Sequence, residues 1–433
     1  MDQNNANDPV IVEGVRTPFM RSNKIYEDIP SYELGRMALS GLAAKTGIDL
    51  NLIEHVVMGT VIHDPVTSNI ARESLLAAGY PAHIPAHTVS LACISSNVAA
   101  TQIADMIRLK RIDIAVVGGT DTCSDPPIRV SRQLRKGLVR LSKVKKLGDL
   151  VTQWPFLRTL RFSDLSLDVP KVVEFSNGKS MGQGGDLLAQ SVGITRKESD
   201  EFAARSHQLA VKAQKEGFFK GMIIPAYLPP RFEPVLADDG PRADTTAEGL
   251  AKLKPAFDKN FGVNTAGSSS FLTDGASAVL LMSRSKAKEL GYQPKAVIRD
   301  YIFRAGDALS EMLSGPALTI PLLLQKNNLT ASDIGVWEIH EAFSAQVLAN
   351  IRLIETPSFL KTRLGLDKTV GKIDLEKVNV WGGSLSLGHP FGATGGRLIA
   401  TAAARLVHEG QRYAIVSGCA AGGHGSAILL ENV

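Results

Sequence analysis

The sequence predicts an α/β protein with two similar halves, each built from strands and helices that alternate along the chain. Short apolar runs that end in glycine or other small residues alternate with segments of helical periodicity, as in parallel sheets covered by helices. The 39 glycines and the 6% of aromatic residues suit a fold with many tight strand–helix junctions. In addition, one half of the chain repeats a pattern of the other half.

The strands are predicted from short apolar runs rich in β-branched residues. They are Val10–Val12, Val56–Met58, Ile114–Val117, Ala278–Met282, Ala296–Arg299, Val336–Ile339, Val378–Val380, Tyr413–Val416 and Ala427–Leu430. The helices are predicted from apolar residues at three- and four-residue steps. They are Tyr32–Lys45, Ile94–Leu109, Pro316–Lys326 and Gly395–His408. One more helix is expected after Thr195, because Glu198 follows at the spacing of a capping box.

The internal repeat pairs residues 47–60 with residues 328–341, which share a helix end, an apolar spacing and a following strand. In each half a loop with a reactive side chain comes next, then a helix of small residues, then a strand. The reactive residue is Cys93 in the first half and His389 in the second. Loops at equivalent ends of two related sheets should meet at the pseudo-twofold axis, so we expect a shared active site there.

An insertion between the halves is predicted to form a loop domain that covers this site. We divide the chain into a first half at residues 1–125, completed by residues 246–284, a loop domain at residues 126–245, and a second half at residues 285–433. The insertion carries ten Lys or Arg residues between Arg129 and Arg161, against the single acid Asp149. Because the positive charge is confined to this stretch, it argues against a nucleic-acid-binding protein.

The composition excludes several classes of protein. Three cysteines are too few, and odd in number, for a bridged secreted fold, and they suit a reducing compartment. The apolar runs stay far below the roughly 18 residues that span a bilayer. The first ten residues carry neither a basic nor an apolar targeting pattern. The expected location is therefore the cytoplasm, with peripheral contact to a membrane through the basic stretch.

Three residues offer chemistry at the predicted meeting point. Cys93 stands where an apolar strand turns into a helix, and the N–H groups of a helix N-terminus favour a thiolate. His389 lies among six glycines in residues 379–397, which predicts a sharply bent backbone with an imidazole at its tip. Cys419 directly follows a strand. A nucleophile, a base and a second acid/base are the set that covalent acyl transfer with proton transfer to carbon needs.

Each of these residues also has a simpler interpretation when it is taken alone. A single cysteine beside a strand is more often a buried core residue than a nucleophile. A glycine-rich loop can also hold phosphate, although this one lacks the Gly-Lys-Ser/Thr ending of a phosphate-binding loop. The functional interpretation depends on the three occurring together.

From about Val10 to Leu430 the chain resembles the thiolase family. The shared motifs are VRTPF at 15–19, the Cys93 loop, GGTDTCS at 118–124, HEAF at 340–343, GGSLSLGHPFGATGGR at 382–397 and CAAGGHG at 419–425, in family order and spacing. The resemblance implies a duplicated five-layer αβαβα fold with an inserted loop domain. It also implies the CoA-dependent cleavage of 3-ketoacyl-CoA in fatty-acid β-oxidation. The HEAF form and the basic insertion are similar to the thiolase subunit of the fatty-acid oxidation multienzyme complex.

The resemblance also implies roles for individual residues. Cys93 is expected to be the nucleophile, His389 its base, and Cys419 the acid that protonates the departing acetyl-CoA carbanion. One oxyanion hole would use His389 and a water held by His340, and the other the backbone N–H groups of Cys93 and Ala421. Coenzyme A is expected as co-substrate, with no permanently bound cofactor and no metal. The implied CoA and acyl contacts are Arg242, Leu250, Phe257, Ala266, Ser270, Met181, Ala342 and Phe343.

Other functions within and beyond the family stay open at this point. A biosynthetic acetoacetyl-CoA thiolase would use the same residues on a shorter substrate. A decarboxylating ketosynthase would carry a second histidine in place of Cys419, and a non-catalytic lipid-binding or scaffold protein would not need all three reactive residues.

Two kinds of interaction are expected. A homodimer and a hydratase/dehydrogenase partner subunit are implied by the family, and a symmetric partner could cover an exposed sheet edge. Within residues 129–161 an amphipathic helix is predicted, with basic side chains around a stripe of apolar residues at three- and four-residue steps. The stripe consists of Leu134, Leu138, Leu141, Val144 and Leu147, and Trp154, Phe156, Leu157 and Leu160 follow it. The helix could dock on an anionic membrane surface or an acidic partner, or its leucines could simply pack on the protein body.

Overall fold

The computed structural model describes residues 5–146, 158, 161, 166–168 and 173–433. Its strands, in chain order, are β1 (Pro9–Arg16), β2 (Met20–Arg21), β3 (His55–Gly59), β4 (Ala86–Val89), β5 (Ile114–Asp121), β6 (Arg129–Val130), β7 (Leu167–Asp168), β8 (Ala226–Leu228), β9 (Glu233–Val235), β10 (Thr273–Ser283), β11 (Ala296–Ala305), β12 (Ile334–Ile339), β13 (Tyr413–Ala420) and β14 (His424–Asn432). The helices are α1 (Ser31–Thr46), α2 (Ile70–Ala77), α3 (Ser95–Arg108), α4 (Arg132–Leu141), α5 (Met181–Ser191), α6 (Arg196–Glu216), α7 (Ala247–Ala251), α8 (Arg284–Glu289), α9 (Gly315–Lys326), α10 (Ser344–Ile354), α11 (Pro357–Phe359), α12 (Ser384–Leu387) and α13 (Phe391–His408).

The strand order shows the duplication. The first half runs β4-β3-β5-β10-β1 and the second runs β12-β13-β14-β11, with corresponding neighbours in each half. β3 pairs with β5 in parallel, as β12 does with β13. β10 pairs antiparallel with β5 and β1, as β14 does with β13 and β11. The predicted parallel pairing is present between β3 and its neighbours and between β12 and β13, but the sheets are mixed, because the last strand of each half returns antiparallel to its neighbours.

Three apolar cores separate five layers of structure, which confirms the predicted αβαβα architecture. One core lies between α1 and α2 and the first-half strands, and another lies between α9 and α10 and the second-half strands. The third core contains α3 and α13, which pack on strands of both halves. The two central helices approach closely, since a Cβ added at Gly395 would come within 2.0 Å of Asn97 Oδ1. The structure also joins the halves edge to edge, through Val10 paired with Val297 and Ile11 with Ala296.

Most predicted elements are present with longer bounds, and two predictions need correction. The strand expected at Val378–Val380 is reduced to a single bridge between Trp337 and Val378. Conversely, β4 was not predicted, because its sequence AHTV contains no apolar run and its side chains are only partly buried. The Thr195 capping box is present, with Thr195 and Glu198 each bonded to the other's backbone at the start of α6.

Residues of the VRTPF motif form hydrogen bonds with the end of the inserted region. Arg16 Nη2 donates to Asp238 Oδ2 at 2.7 Å, and both side chains are buried. The backbone N–H of Phe19 donates to the other oxygen of Asp238 at 2.8 Å. The motif is therefore structural, holding the end of the insertion beside β1. Within the described parts of the chain, no helix combines the length and apolarity that crossing a membrane requires.

Candidate active site

Cys93 sits in a strained turn between β4 and α3. The preceding residue, Ala92, has a φ of 45°, a left-handed conformation that residues other than glycine rarely adopt. Ser95 holds the turn, because its hydroxyl donates to the Ala92 carbonyl at 2.7 Å and accepts from the Leu91 N–H at 2.8 Å. No residue type signals this conformation in advance, since alanine shows no preference for positive φ.

His389 is presented by the glycine-rich loop before α13. Gly388 has a φ of 103°, so the bend immediately before the histidine depends on glycine at that position. The His389 backbone N–H donates to Thr273 Oγ1 at 2.9 Å, and its Nδ1 lies 2.7 Å from Thr394 Oγ1. The side chain is buried, and its Nε2 has no hydrogen-bond partner among the described residues. This free nitrogen is available to a neighbouring proton donor.

The structure brings the predicted reactive residues together. The sulfur of Cys93 and one ring nitrogen each of His340 and His389 all lie within 4.8 Å of one another. The two imidazole rings are 4.1 Å apart between centroids. Cys419, at the end of β13, lines the same cavity as Cys93 and His389. The arrangement is that of a nucleophile beside its base, although a Cys-His-His set also resembles the donors of a zinc site.

Burial controls the ionisation of this group. It raises the pKa of the Cys93 thiol to about 12, even though the backbone N–H groups of Cys93 and Ala421 act to lower it. Burial lowers the pKa of His389 to about 3, and the positive charge of Arg397 lowers it further. The pKa of Cys419 is raised by burial as well. The backbone N–H groups at the start of α3 thus favour the thiolate, as expected, but the loss of solvation opposes them and is the larger effect.

Asp121 is a site residue that the sequence analysis did not identify. Its buried carboxylate accepts from the N–H groups of Val61, Ile62 and Gly392 and from the hydroxyl of Thr60. It thereby ties the loop after β3 to the first turn of α13, close to His389. Its position in GGTDTCS, an acid at the end of a strand that is otherwise apolar or small, is the signal that could have found it.

Cys93 lines a cavity of about 280 Å³. Of the CoA and acyl contacts implied by the resemblance, five line it: Met181, Phe257, Ser270, Ala342 and Phe343. The lining also includes Ser180, Phe271, Leu313 and Phe391, which sequence reasoning missed. Its walls are thus largely aromatic and aliphatic, with a few hydroxyl groups, as in a site for a small organic molecule.

Three other predicted contacts do not line this cavity. Leu250 is buried in the core of the second half, and Ala266 is exposed. Arg242 is exposed, with its Nη2 3.3 Å from His207 Nε2. Their assignment as CoA contacts stays a prediction.

A second, larger cavity of about 970 Å³ also begins at Cys93. It passes Val61 and Ile62 and reaches Arg129 and Arg135 of the basic stretch. Cys93 therefore stands where the two cavities meet.

The basic stretch matches its prediction only in part. α4 ends at Leu141, with Ser142 as its C-cap, so the predicted helix is shorter than the stripe from Leu134 to Leu147. Leu134 and Leu141 are partly buried, whereas Leu138 is 51% exposed. Part of the stripe therefore packs on the protein. The predicted apolar residues Leu147, Trp154, Phe156, Leu157 and Leu160 lie outside the described residues.

Comparisons with known proteins agree over nearly the whole chain. The thiolase N-terminal domain matches residues 9–285 and the thiolase C-terminal domain matches residues 292–432. The mitochondrial trifunctional enzyme subunit beta of Mus musculus is 46% identical over 427 residues, which are 99% of this chain and 89% of that protein. A 3-ketoacyl-CoA thiolase of Serratia proteamaculans is 42% identical over 97% of this chain and 96% of its own length. The crystal structure of the Bacillus anthracis acetyl-CoA acetyltransferase has a TM-score of 0.82 at 32% identity, covering 98% of this chain and 99% of that one.

Proposed function

The chain belongs to the thiolase family, and we propose that it is a 3-ketoacyl-CoA thiolase that acts in fatty-acid β-oxidation. In this reaction CoA cleaves a 3-ketoacyl-CoA into acetyl-CoA and an acyl-CoA shortened by two carbons. The observation that carries the proposal is the sulfur of Cys93 within 4.8 Å of a ring nitrogen of His389, in a cavity that Cys419 also lines. That geometry supplies a nucleophile, its base and a second acid in one place.

The first half-reaction uses all three residues. His389 takes the proton of the Cys93 thiol while the sulfur attacks the 3-keto carbon. The bond between C2 and C3 then breaks, the acyl group stays on Cys93, and the electron pair goes to the enolate of acetyl-CoA. Cys419 donates its proton to C2 and becomes a thiolate. The backbone N–H groups of Cys93 and Ala421 face the sulfur and are suited to stabilise the oxyanion on the attacked carbon.

The second half-reaction restores the enzyme. CoA enters the cavity, gives its thiol proton to the Cys419 thiolate and attacks the acyl group on Cys93. The Cys93 sulfur leaves and recovers its proton from His389. The aromatic and aliphatic lining, with Phe257, Phe343 and Met181, is suited to the pantetheine arm, and the hydroxyl of Ser270 can bond its amides. CoA is thus a co-substrate in this scheme and not a resident cofactor.

The larger cavity favours long acyl chains over acetoacetyl-CoA. Its volume of about 970 Å³ lies near the upper end of the 300–1,000 Å³ typical of small-molecule pockets. An acetoacetyl group carries two carbons beyond the cleaved bond and would leave almost all of this space empty. The competing proposal, a biosynthetic acetoacetyl-CoA thiolase, is supported by the similarity to the Bacillus acetyl-CoA acetyltransferase.

A chain-length series separates these two proposals. The CoA-dependent loss of 3-ketoacyl-CoA is measured with substrates from four to sixteen carbons. We expect kcat/KM to rise with chain length, since each buried methylene contributes about 0.8 kcal/mol. A maximum at four carbons would instead support the acetoacetyl-CoA enzyme, and no CoA-dependent loss at any length would refute thiolase activity altogether.

Single cysteine variants test the assigned roles. Cys93→Ser should abolish formation of an acyl-enzyme from a reactive acyl-CoA, whereas Cys419→Ala should still be acylated but fail to cleave 3-ketoacyl-CoA. Cys123→Ala removes the remaining cysteine and serves as the matched control. Equal loss of acylation in the Cys93 and Cys419 variants, with folding intact, would show that the roles are wrongly divided.

We also propose that the protein assembles with partners. The edge strand β4 ends its sheet among the described residues, which leaves backbone groups that a second copy could cover in a homodimer. The similarity to the beta subunit of the trifunctional enzyme supports association with a hydratase/dehydrogenase subunit. Sedimentation at monomer mass over a wide concentration range would exclude the homodimer.

The basic stretch is proposed to contact an anionic membrane surface. The partly exposed apolar face of α4 and its Arg and Lys side chains support this proposal. Binding to anionic vesicles should weaken steeply with salt, at about 1 kcal/mol per basic residue near the surface. A variant with Arg135, Lys136, Arg140 and Lys143 changed to Gln should bind less. Equal recovery of the variant and the wild type with the vesicles would remove the membrane proposal.

A further inference from the structure

The imidazoles of His340 and His389 lie together beside Cys93, with 4.1 Å between their ring centroids. Neither His340 Nε2 nor His389 Nε2 has a hydrogen-bond partner among the residues that the structure describes. In the proposed mechanism His389 Nε2 accepts the proton of Cys93. A separate N–H donor is needed to stabilise the negative charge that forms on the enolate oxygen of acetyl-CoA. His340 can supply this hydrogen bond only if its proton is on Nε2 and not on Nδ1.

The other nitrogen of His340 lies against Ser384. The distance from His340 Nδ1 to Ser384 Oγ is 3.1 Å, and both residues are buried. Arg397 Nη2 donates to the same Ser384 oxygen at 2.7 Å. The Ser384 hydroxyl is thus placed between a guanidinium and an imidazole.

The direction of these hydrogen bonds follows from the donors available. A guanidinium can only donate, so Ser384 Oγ must accept from Arg397. The proton of the Ser384 hydroxyl then remains free to bond, and His340 Nδ1 lies within reach as its acceptor. If Nδ1 carried a proton instead, the hydroxyl would accept two hydrogen bonds and its own proton would be buried without an acceptor, which is unfavourable. These bonds therefore favour the form of His340 with its proton on Nε2, the nitrogen that Ser384 does not contact.

Arg397 is held in place by further buried charges. Its guanidinium is 1% exposed and lies 3.7 Å from Glu338 Oε2, while the other oxygen of Glu338 accepts from Arg405 at 2.8 Å. The charged or titratable groups around His340 are therefore Arg397, His389 and Cys93 at the site, with Glu338 and Glu341 behind. Burial, together with the positive charge of Arg397, lowers the pKa of His340 well below its usual value, which keeps the ring neutral.

We propose that Ser384, anchored by Arg397, is a positioning residue that fixes His340 as an Nε2–H donor opposite the accepting Nε2 of His389. The proposal rests on the thiolase function and adds a division of labour between the two histidines. The donor stabilises the enolate oxygen of acetyl-CoA, directly or through a water, while the C2–C3 bond breaks. Transfer of the acyl group between Cys93 and CoA does not form that enolate, so it should not depend on Ser384.

This difference gives a test with two half-reactions. Ser384→Ala should lower the rate of 3-ketoacyl-CoA cleavage by roughly tenfold or more. Without the serine hydroxyl, part of the protein would carry the His340 proton on Nδ1, and those molecules would lack the Nε2–H donor. Acyl exchange between an acyl-CoA and labelled CoA, which passes only through acylated Cys93, should stay within about twofold. The control is Ser386→Ala, which removes a buried hydroxyl from the same short helix, one that bonds Ser206 and the Gly383 carbonyl instead of His340. Equal loss in both half-reactions would mean that Ser384 has only a structural role.

A double-mutant cycle separates tautomer control from packing. An asparagine amide always presents an N–H donor and has no tautomer to fix. In a His340→Asn background, Ser384→Ala should therefore change cleavage by less than about twofold. The same tenfold loss in both backgrounds, or no loss in the wild-type background, would overturn the proposal.

The tautomer can also be observed without any Ser384 variant. Nitrogen-15 NMR of histidine-labelled wild type, with the His340 signals assigned by their absence in His340→Asn, distinguishes protonated from unprotonated ring nitrogens. A proton on Nε2 at pH 7 to 8 is expected, and a proton on Nδ1 would refute the inference. This measurement is independent of turnover, so an inactive wild type would count against the proposed function and not against the assignment of His340.

Discussion

In the resting protein Cys93 should be a neutral thiol and not a thiolate paired with an imidazolium. Burial raises its pKa from 9.0 to about 12, a shift worth about 4 kcal/mol at 1.36 kcal/mol per pH unit. The pKa of the neighbouring His389 is lowered to about 3, so both partners are neutral at physiological pH. At pH 8, well below this pKa, the thiolate should therefore be a small minority of the molecules. Proton transfer from Cys93 to His389 must then occur together with attack on the substrate.

The prediction can be checked by titrating the ultraviolet absorbance of the thiolate. The difference between wild type and Cys93→Ser, measured from pH 6 to pH 10, should show no inflection, and alkylation of Cys93 by iodoacetamide should accelerate steadily with pH over the same range. Cys123→Ala provides the control, since Cys123 is also buried with its pKa raised. An inflection near pH 6 to 7, with one thiolate per chain, would contradict this reasoning. It would mean that the N–H groups of Cys93 and Ala421 outweigh the loss of solvation.

Three further outcomes follow from the structure. When the pH is lowered from 7 to 5, the free energy of unfolding measured in urea should fall by about 2 kcal/mol more for the wild type than for His389→Asn. The reason is that His389 binds a proton below about pH 6.5 in the unfolded chain but only below about pH 3 in the folded protein. Arg16→Met should lower the free energy of unfolding by about 3–5 kcal/mol, because it leaves the buried Asp238 carboxylate unpaired. The double variant Arg16→Met/Asp238→Leu should recover much of this stability. No recovery would contradict the argument that the two charges depend on each other. Ile62→Trp should fill part of the larger cavity and displace about two methylenes of a long acyl chain. At about 0.8 kcal/mol each, this should lower kcat/KM for long substrates roughly tenfold and leave acetoacetyl-CoA unaffected. An equal loss for both substrates would refute the assignment of that cavity to the acyl chain.

The sequence predicted the relative positions of the reactive residues because these depend on local patterns. The repeat fixed which strands and loops correspond, so Cys93 and His389 could be expected at equivalent ends of related sheets before any distance was known. The glycines around His389 likewise signal close packing, and Gly388 and Gly395 both require the absence of a side chain. These features are encoded within a few residues of the site.

Features that depend on distant parts of the chain could not be predicted in the same way. The sign of the Cys93 pKa shift is set by how completely the sulfur is enclosed, which involves residues from both halves. The partner of Arg16 lies 222 positions away in sequence, and no local pattern identifies Asp238 as that partner. The left-handed turn at Ala92 is imposed by the surrounding fold and opposed by the intrinsic preference of alanine.

The register of the two halves explains why only one of them contributes Cys419. Ser277 of β10 pairs with Gly119, and Ser426 of β14 pairs with Gly418, within the matching sequences SAVLL and SAILL. In this alignment Thr120 corresponds to Cys419, and the next residue of each strand, Asp121 in the first half, corresponds to Ala420. The Thr120 hydroxyl donates to the Ser31 carbonyl at 2.7 Å, and Asp121 joins the loop after β3 to the first turn of α13. Neither Thr120 nor Asp121 lines the cavity beside Cys93, whereas Cys419, at the corresponding position of the second copy, does. The second copy of the repeat therefore places a thiol at the site, where the first copy uses its side chains to hold the surrounding structure together.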